Sequence, residues 1–247
     1  MTYQHFAYIY DELMKDVPYE SWLEYFLNRI PAEKRYGQVL DLACGTGSLS
    51  VPIAKMGFDV TGIDLSTEML SVADEKARNE QVQITFLEQD MTNLVGTASF
   101  DLVLCFCDSL NYLKDEQAVT STFKGVYDSL KSNGQFMFDV HSTEKIESIF
   151  MDQTFVSTDE EISFIWNCFE GDFPYSVEHE LTFFVNTGNQ NLYKRYDEVH
   201  VQRTYPIATY EAWLKAAGFS SIEVTSDFKD NLSKNERERI LFYCEKK

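Results

Sequence analysis

Basic residues are scarce in this chain: 21 lysines and arginines stand against 40 aspartates and glutamates, a formal charge of −19 over 247 residues. A surface this acidic repels phosphate backbones unless its cations gather into a stripe, and the sequence has no such stripe. Nucleic acid and anionic membrane are therefore not expected partners. Cysteine is sparse and odd in number. Cys44, Cys105, Cys107, Cys168 and Cys244 form no C-x-x-C pair and lie mostly in apolar runs, which reads as reduced, buried thiols. Histidine and carboxylate spacings suggest no metal site. No apolar run approaches the ~18 residues of a membrane span. The opening Met1-Thr2-Tyr3-Gln4-His5 has no basic export signal, so a cytoplasmic location is expected. What remains is an ordinary globular composition, 44% apolar, long enough for one substantial core and a small accessory unit.

Within it, Val39-Leu40-Asp41-Leu42-Ala43-Cys44-Gly45-Thr46-Gly47-Ser48 runs from a buried strand through a small-residue turn into a helix. Such a turn lets backbone N–H groups approach a ligand closely, and the helix start adds positive potential. A nucleotide-type ligand is expected. A dinucleotide fingerprint would place a third glycine where Ser50 stands, which weighs against a nicotinamide-dependent oxidoreductase.

The apolar period orders the rest. Two amphipathic helical patterns (Phe6, Ile9, Tyr10, Leu13, Met14; then Trp22, Phe26, Leu27, Ile30) are separated by Pro18 and stopped by Pro31. Strand-like runs at 38–42, 59–63, 82–87, 101–107 and 135–140 then alternate with helical stretches near 48–56, 66–78 and 114–131, which predicts parallel βαβ units. Between Glu144 and Tyr205 long alternating runs (162–169, 177–185, 192–203) with Gly171-Asp172 and Gly188-Asn189 turns predict an inserted antiparallel meander. A helix stopped by Gly218 and two strands without a helix between them follow, so the last strand is expected to be antiparallel. The division expected is a helical cap over 1–35, a cofactor-binding unit over 36–143 and 206–247, and an acceptor-binding insertion over 144–205.

Ligands of open α/β sheets bind beyond the carboxyl ends of the strands, so the residues closing each strand matter most. The first strand closes near Asp41. The second ends at Asp64, 19 residues beyond Gly45, near the ~20 expected for a carboxylate holding ribose hydroxyls. The third leads to Asp90-Met91, the fourth to Cys105-Phe106-Cys107-Asp108 and the fifth to Asp139-Val140-His141.

Together these segments resemble the class I S-adenosylmethionine-dependent methyltransferases of the small-molecule type. D-L-A-C-G-T-G, G-I-D-L-S, Q-D-M, F-D-L-V-L and L-K-S-N-G-Q stand in family order, and the likeness covers roughly 36–141 and 209–247. It implies a doubly wound, seven-stranded, mostly parallel α/β sheet of Rossmann-like form with a terminal antiparallel hairpin, to which the meander is added. The implied cofactor is S-adenosyl-L-methionine. Asp41, Gly45 and Gly47 would face its methionine part, Asp64 its ribose, and Asp90 with Met91 its adenine, with Ala43, Cys44 and Leu65 beside them. Tyr10 and Cys107 would also line that pocket. Ala43 departs from the glycine of the commonest pattern, and a Cβ there is expected to require negative φ.

The acceptor side is less marked. On the strand ending the insertion, Val199 and Val201 face one way and Tyr196, Glu198, His200 and Gln202 the other. The polar face meets either the acceptor or solvent, and the solvated reading is slightly preferred. His141 and His200 are the candidate bases, should the acceptor need one. Neither an N-P-P-Y-like tetrapeptide nor a Pro-Cys pair is present, which by the same family resemblance argues against nucleobase-amine, glutamine and pyrimidine-carbon methylation. The aromatic-rich insertion suits a small metabolite, neutral or amine-bearing. A protein that binds the cofactor without catalysis is the alternative.

Overall fold

The structure, a computed structural model, describes residues 7, 10–30, 37–94, 99–188, 192–228 and 237–247. A helical turn at 10–13 precedes α1 (Tyr19–Arg29), as the apolar spacing predicts, whereas Tyr3, Phe6 and Ile9 lie outside the described residues. The alternating unit then runs β1 (Gln38–Leu42), α2 (Ser50–Lys55), β2 (Asp59–Asp64), α3 (Thr67–Asn79), β3 (Ile84–Glu88), β4 (Phe100–Cys105), α4 (Glu116–Ser129) and β5 (Leu130–His141). The insertion holds β6 (Thr154–Ser157), β7 (Ile162–Glu170), β8 (Ser176–Asn186) and β9 (Tyr193–Arg203), and α5 (Ile207–Ala217), β10 (Ser221–Ser226) and β11 (Arg239–Glu245) complete the chain order.

The large sheet has the order β10-β11-β5-β4-β1-β2-β3. Its strands are parallel except β11, which slots between β5 and β10 and is antiparallel to both. Strand side chains alternate between faces, so the sheet buries apolar residues on both. Phe123 and Val126 of α4 and Leu214 of α5 pack with Leu40, Val103, Phe136 and Phe138 on one side. On the other, Trp22 and Phe26 of α1 and Ile53 of α2 pack with Val39, Val60, Leu102 and Leu104. Burying each large side chain contributes about 1.5–3 kcal/mol, which makes these two layers the main source of stability. Gly218 ends α5 as expected: at φ +117° it adopts the left-handed turn, and Phe219 N–H closes on Leu214 O at 3.1 Å.

The insertion is an antiparallel sheet of order β6-β7-β8-β9. Strand β6 was not foreseen; its Thr154-Phe155-Val156-Ser157 is too short to show a period on its own. Helical backbone at 143–150 joins it to β5. The described cysteines are all free, with Cys105, Cys168 and Cys244 buried and Cys44 and Cys107 partly exposed. No helix among the described residues is long and apolar enough to cross a membrane.

Candidate active site

The turn after β1 carries three residues in the left-handed region: Ala43 at φ +54°, Gly45 at +54° and Gly47 at +75°. Ala43 thus corrects the expectation of negative φ. Cys44 N–H donates to Ile63 O on β2 at 2.9 Å, which holds the chain in register and overrides a local cost of about 1–2 kcal/mol for a Cβ in this conformation. The glycines do different work. A Cβ on Gly47 would sit 3.1 Å from the Ala73 Cβ of α3, whereas one on Gly45 would meet nothing within 4 Å and project into open space. The first allows close packing, and the second leaves a cradle beside the backbone.

Asp64 closes β2 and organises this cradle. Its Oδ2 accepts from Gly45 N–H and its Oδ1 from Ser66 N–H, both at 2.9 Å. A carboxylate has about four lone-pair positions, so each oxygen keeps capacity for a further donor. Leu65 beside it is 66% exposed. Asp90, after β3, accepts from Thr92 N–H at 2.8 Å, and Met91 is partly buried against the core. Asp41 lies beneath the turn, almost wholly buried, and accepts from the Ser50 hydroxyl. Burial pushes its carboxyl up to about 7; the Asp64 charge adds to the rise and the Ser50 bond opposes it.

A cavity of about 440 Å³ opens from the turn toward the inserted sheet. It brings together the predicted residues Tyr10, Asp41, Ala43, Cys44, Gly45, Cys107, His141 and His200. Asp64, Leu65, Asp90 and Met91 are not in its wall but along the ends of β2 and β3 beside it, and Gly47 lies outside the wall in the turn after β1. Tyr19 and Tyr112 line it too, and the inserted sheet contributes Phe164, Trp166, His179, Leu181, Phe183, His200 and Gln202.

This reverses the preferred reading of β9. Val199 and Val201 are 60% and 54% exposed, while Tyr196 and Gln202 are 8% and 3% exposed. The polar face points inward because it has partners there. Trp166 Nε1–H donates to His179 Nδ1 at 3.0 Å, and indole only donates, so the neutral His179 carries its hydrogen on Nε2. Nε2 faces Gln202 Oε1 at 3.1 Å, and Gln202 Nε2 donates to Asp108 Oδ2 at 2.9 Å. Burial pushes the His179 imidazole down to about 4, which keeps this neutral arrangement at ordinary pH. His200 is likewise lowered by burial and packs edge-on against Tyr112, ring centres 5.8 Å apart.

Asp108, which composition and spacing did not single out, is the hub. It stands at φ +52° beyond β4, with Cys107 at +57°. Asp108 Oδ1 accepts from Arg239 Nη1 at 3.0 Å, and His141 Nε2 lies 3.3 Å from Asp108 Oδ2. Burial alone would raise its pKa, but the charges of His141 and Arg239 hold the carboxyl far below the usual range. Asp139, fully buried, supports the hub from below: it accepts from Trp22 Nε1–H, Cys107 N–H, Asp108 N–H and Arg239. His141 itself is 5% exposed, and its Nδ1 is buried with no hydrogen-bond partner among the described residues.

The methyltransferase-domain family model matches residues 39–134, the stretch from β1 to the start of β5. A protein of Geobacillus sp. (strain WCH70) designated a methyltransferase is 50% identical over the whole of both chains. An S-adenosylmethionine-dependent methyltransferase from Clostridium acetobutylicum ATCC 824 superposes with a TM-score of 0.87 at 31% identity, covering 99% of this chain and 98% of its own. An amino pentose methyltransferase from Micromonospora echinaspora, solved with S-adenosylmethionine bound, shares the fold at 17% identity, with a TM-score of 0.75 over 97% and 96% of the two chains. With a sheet order, a turn and a full-length likeness that all agree, the chain belongs to the class I S-adenosylmethionine-dependent methyltransferases.

Proposed function

We propose that the acceptor is a small molecule enclosed between the large sheet and the inserted one, with His141 as the base that takes its proton. The observation that carries this reading is one cavity joining the Gly45 cradle to the His141–Asp108 pair beneath the inner face of β7–β9. The residues fit the cofactor: Gly45 offers backbone beside open space, and Asp64 keeps acceptor capacity for two ribose hydroxyls. Asp41, Ala43, Cys44 and Gly47 would shape the methionine end, Leu65, Asp90 and Met91 the adenine end, and Tyr10 with Cys107 the region between.

Bound S-adenosylmethionine supplies a methyl group activated by a positive sulfur. The chain's own part is alignment and proton removal. Asp108 can only accept, so in neutral His141 the hydrogen lies on Nε2 toward Asp108 and the lone pair on Nδ1. His141 would take the proton of an amine or hydroxyl whose electron pair forms the new bond to the methyl carbon as the carbon–sulfur bond breaks and its electrons stay with sulfur, and Asp108 would stabilise the resulting imidazolium. Tyr112, His200 and the rings of the inserted sheet exclude water and fix the acceptor's body.

The test is release of S-adenosylhomocysteine across a panel of small amines, phenols and hydroxy acids, with bulk tRNA alongside. Turnover of a small acceptor is expected, and His141→Ala should lower kcat about 100-fold while leaving S-adenosylhomocysteine affinity within a few fold. Turnover confined to tRNA and suppressed by salt would refute the proposal, as would an unchanged kcat in the variant.

A further inference from the structure

Lys145 is a cation that the proposed chemistry does not use. Ser142 Oγ accepts from Lys145 N–H at 2.9 Å, starting the helical turn that brings this side chain back over the cavity one turn after His141. Lys145 lines the cavity with its side chain only 15% exposed, and its ammonium lies 5.1 Å over the Phe150 ring. Its ion-pair contact among the described residues is Glu238 Oε2 at 4.0 Å, the outer limit for a pair, and that glutamate is 57% exposed.

The neighbouring cation differs. Arg239 directs Nη1 at both Asp108 and Asp139, so its charge is matched within the protein. Among the described residues Lys145 has no comparable bond. Burial, followed by the charge of Arg239, pushes its pKa down. A desolvated ammonium in an enclosed wall is stabilised most by an anion brought into the same enclosure. Beside it in the cavity wall, Phe150 and Trp166 are aromatic and His179 and Gln202 are already hydrogen-bonded.

We infer that the cavity takes an acceptor carrying one oxyanion, a carboxylate or a phosphate, which pairs with the Lys145 ammonium while the nucleophilic amine or hydroxyl faces His141. This rests on the proposed acceptor site and narrows it. The net charge of −19 still disfavours polyanions, but a single negative group is matched locally.

Calorimetry on the full chain saturated with S-adenosylhomocysteine tests the inference, with benzoate, phenyl phosphate and benzamide as probes. At least one of the two anions should bind with a Kd below about 10 mM, and the uncharged amide at least about tenfold more weakly. Binding of benzoate alone identifies a carboxylate, and binding of phenyl phosphate alone a phosphate. Lys145→Met should abolish anion binding, Lys145→Arg should retain part of it, and S-adenosylhomocysteine affinity should match wild type in both. Equal binding of the amide, no binding of either anion, or undiminished anion binding in Lys145→Met would overturn the inference. A parallel loss of S-adenosylhomocysteine affinity would overturn it too, by assigning Lys145 to the cofactor. The wild-type probe comparison stands even if a variant fails to fold. Failure of the acceptor-site proposal would appear instead as absent turnover with probe binding intact.

Discussion

Asp108→Asn removes one negative charge from the hub while keeping its shape. The carboxylate accepts from Gln202 at 2.9 Å and Arg239 at 3.0 Å, and faces His141 at 3.3 Å. An asparagine offers one acceptor oxygen and two N–H donors, so in either orientation its amide confronts a donor. Breaking a buried ion pair from one side costs about 3–5 kcal/mol. Because Arg239 keeps Asp139, we expect the lower end, about 3 kcal/mol, in urea denaturation at pH 7. The loss has a characteristic pH dependence. Asp108 is depressed in the folded state, so its contribution is complete above the unfolded-state value of about 3.9 and disappears as pH falls below it, where the unfolded chain takes up a proton that the folded chain refuses. The gap between wild type and variant should narrow progressively as pH falls below about 4. A difference under about 1 kcal/mol at pH 7, or a gap that does not narrow in acid, would refute the assignment of Asp108 as a buried, charge-paired hub.

Ala43→Gly should stabilise the protein by about 0.5–1 kcal/mol, because relief of the left-handed Cβ exceeds the entropy glycine adds to the unfolded chain; the expected rise in thermal midpoint is about 2 °C. Asp41 shows the opposite linkage from Asp108. Its folded value of about 7 lies above the unfolded one, so wild type is penalised increasingly as pH rises from about 4 toward about 7. Asp41→Asn escapes that penalty, and urea melts at pH 5 and pH 8 should show the variant gaining on wild type at the higher pH.

The turn after β1 and its tie to Asp64 were legible because their signals are local. Asp41, Gly45, Gly47 and Asp64 belong to one βαβ unit, where the spacing of glycine turn and carboxylate is itself the geometric requirement. The parallel direction of β1 to β5 followed from alternation of strand and helix, and the antiparallel last strand from the absence of a helix before it. The acceptor half was not legible to the same degree. Its hub joins Asp108 to Arg239, 131 residues away, and to Gln202, 94 away, and nothing in a local period announces such a pairing. Strand β9 misled because alternation reveals two faces without saying which one is buried. Gln202 turned inward there because His179 and Asp108 satisfy it, and the valines were left outside. Ala43 misled through its residue type, since the β1–β2 ladder fixes a backbone conformation that alanine alone would avoid.

The four-way contact made by Asp139 constrains how a growing chain can mature. Trp22, the turn after β4 and Arg239 all converge on this carboxylate, and Arg239 emerges from the ribosome 100 residues after it. Until then β5 has an open edge, and two carboxylates at the heart of the enzyme lack their cation. A nascent chain can assemble β1–β4 and their helices early, but the end carrying Asp108 and Asp139 stays electrostatically unbalanced until β11 threads between β5 and β10. For a chain that lacks β11, the missing strand is also the missing counter-charge.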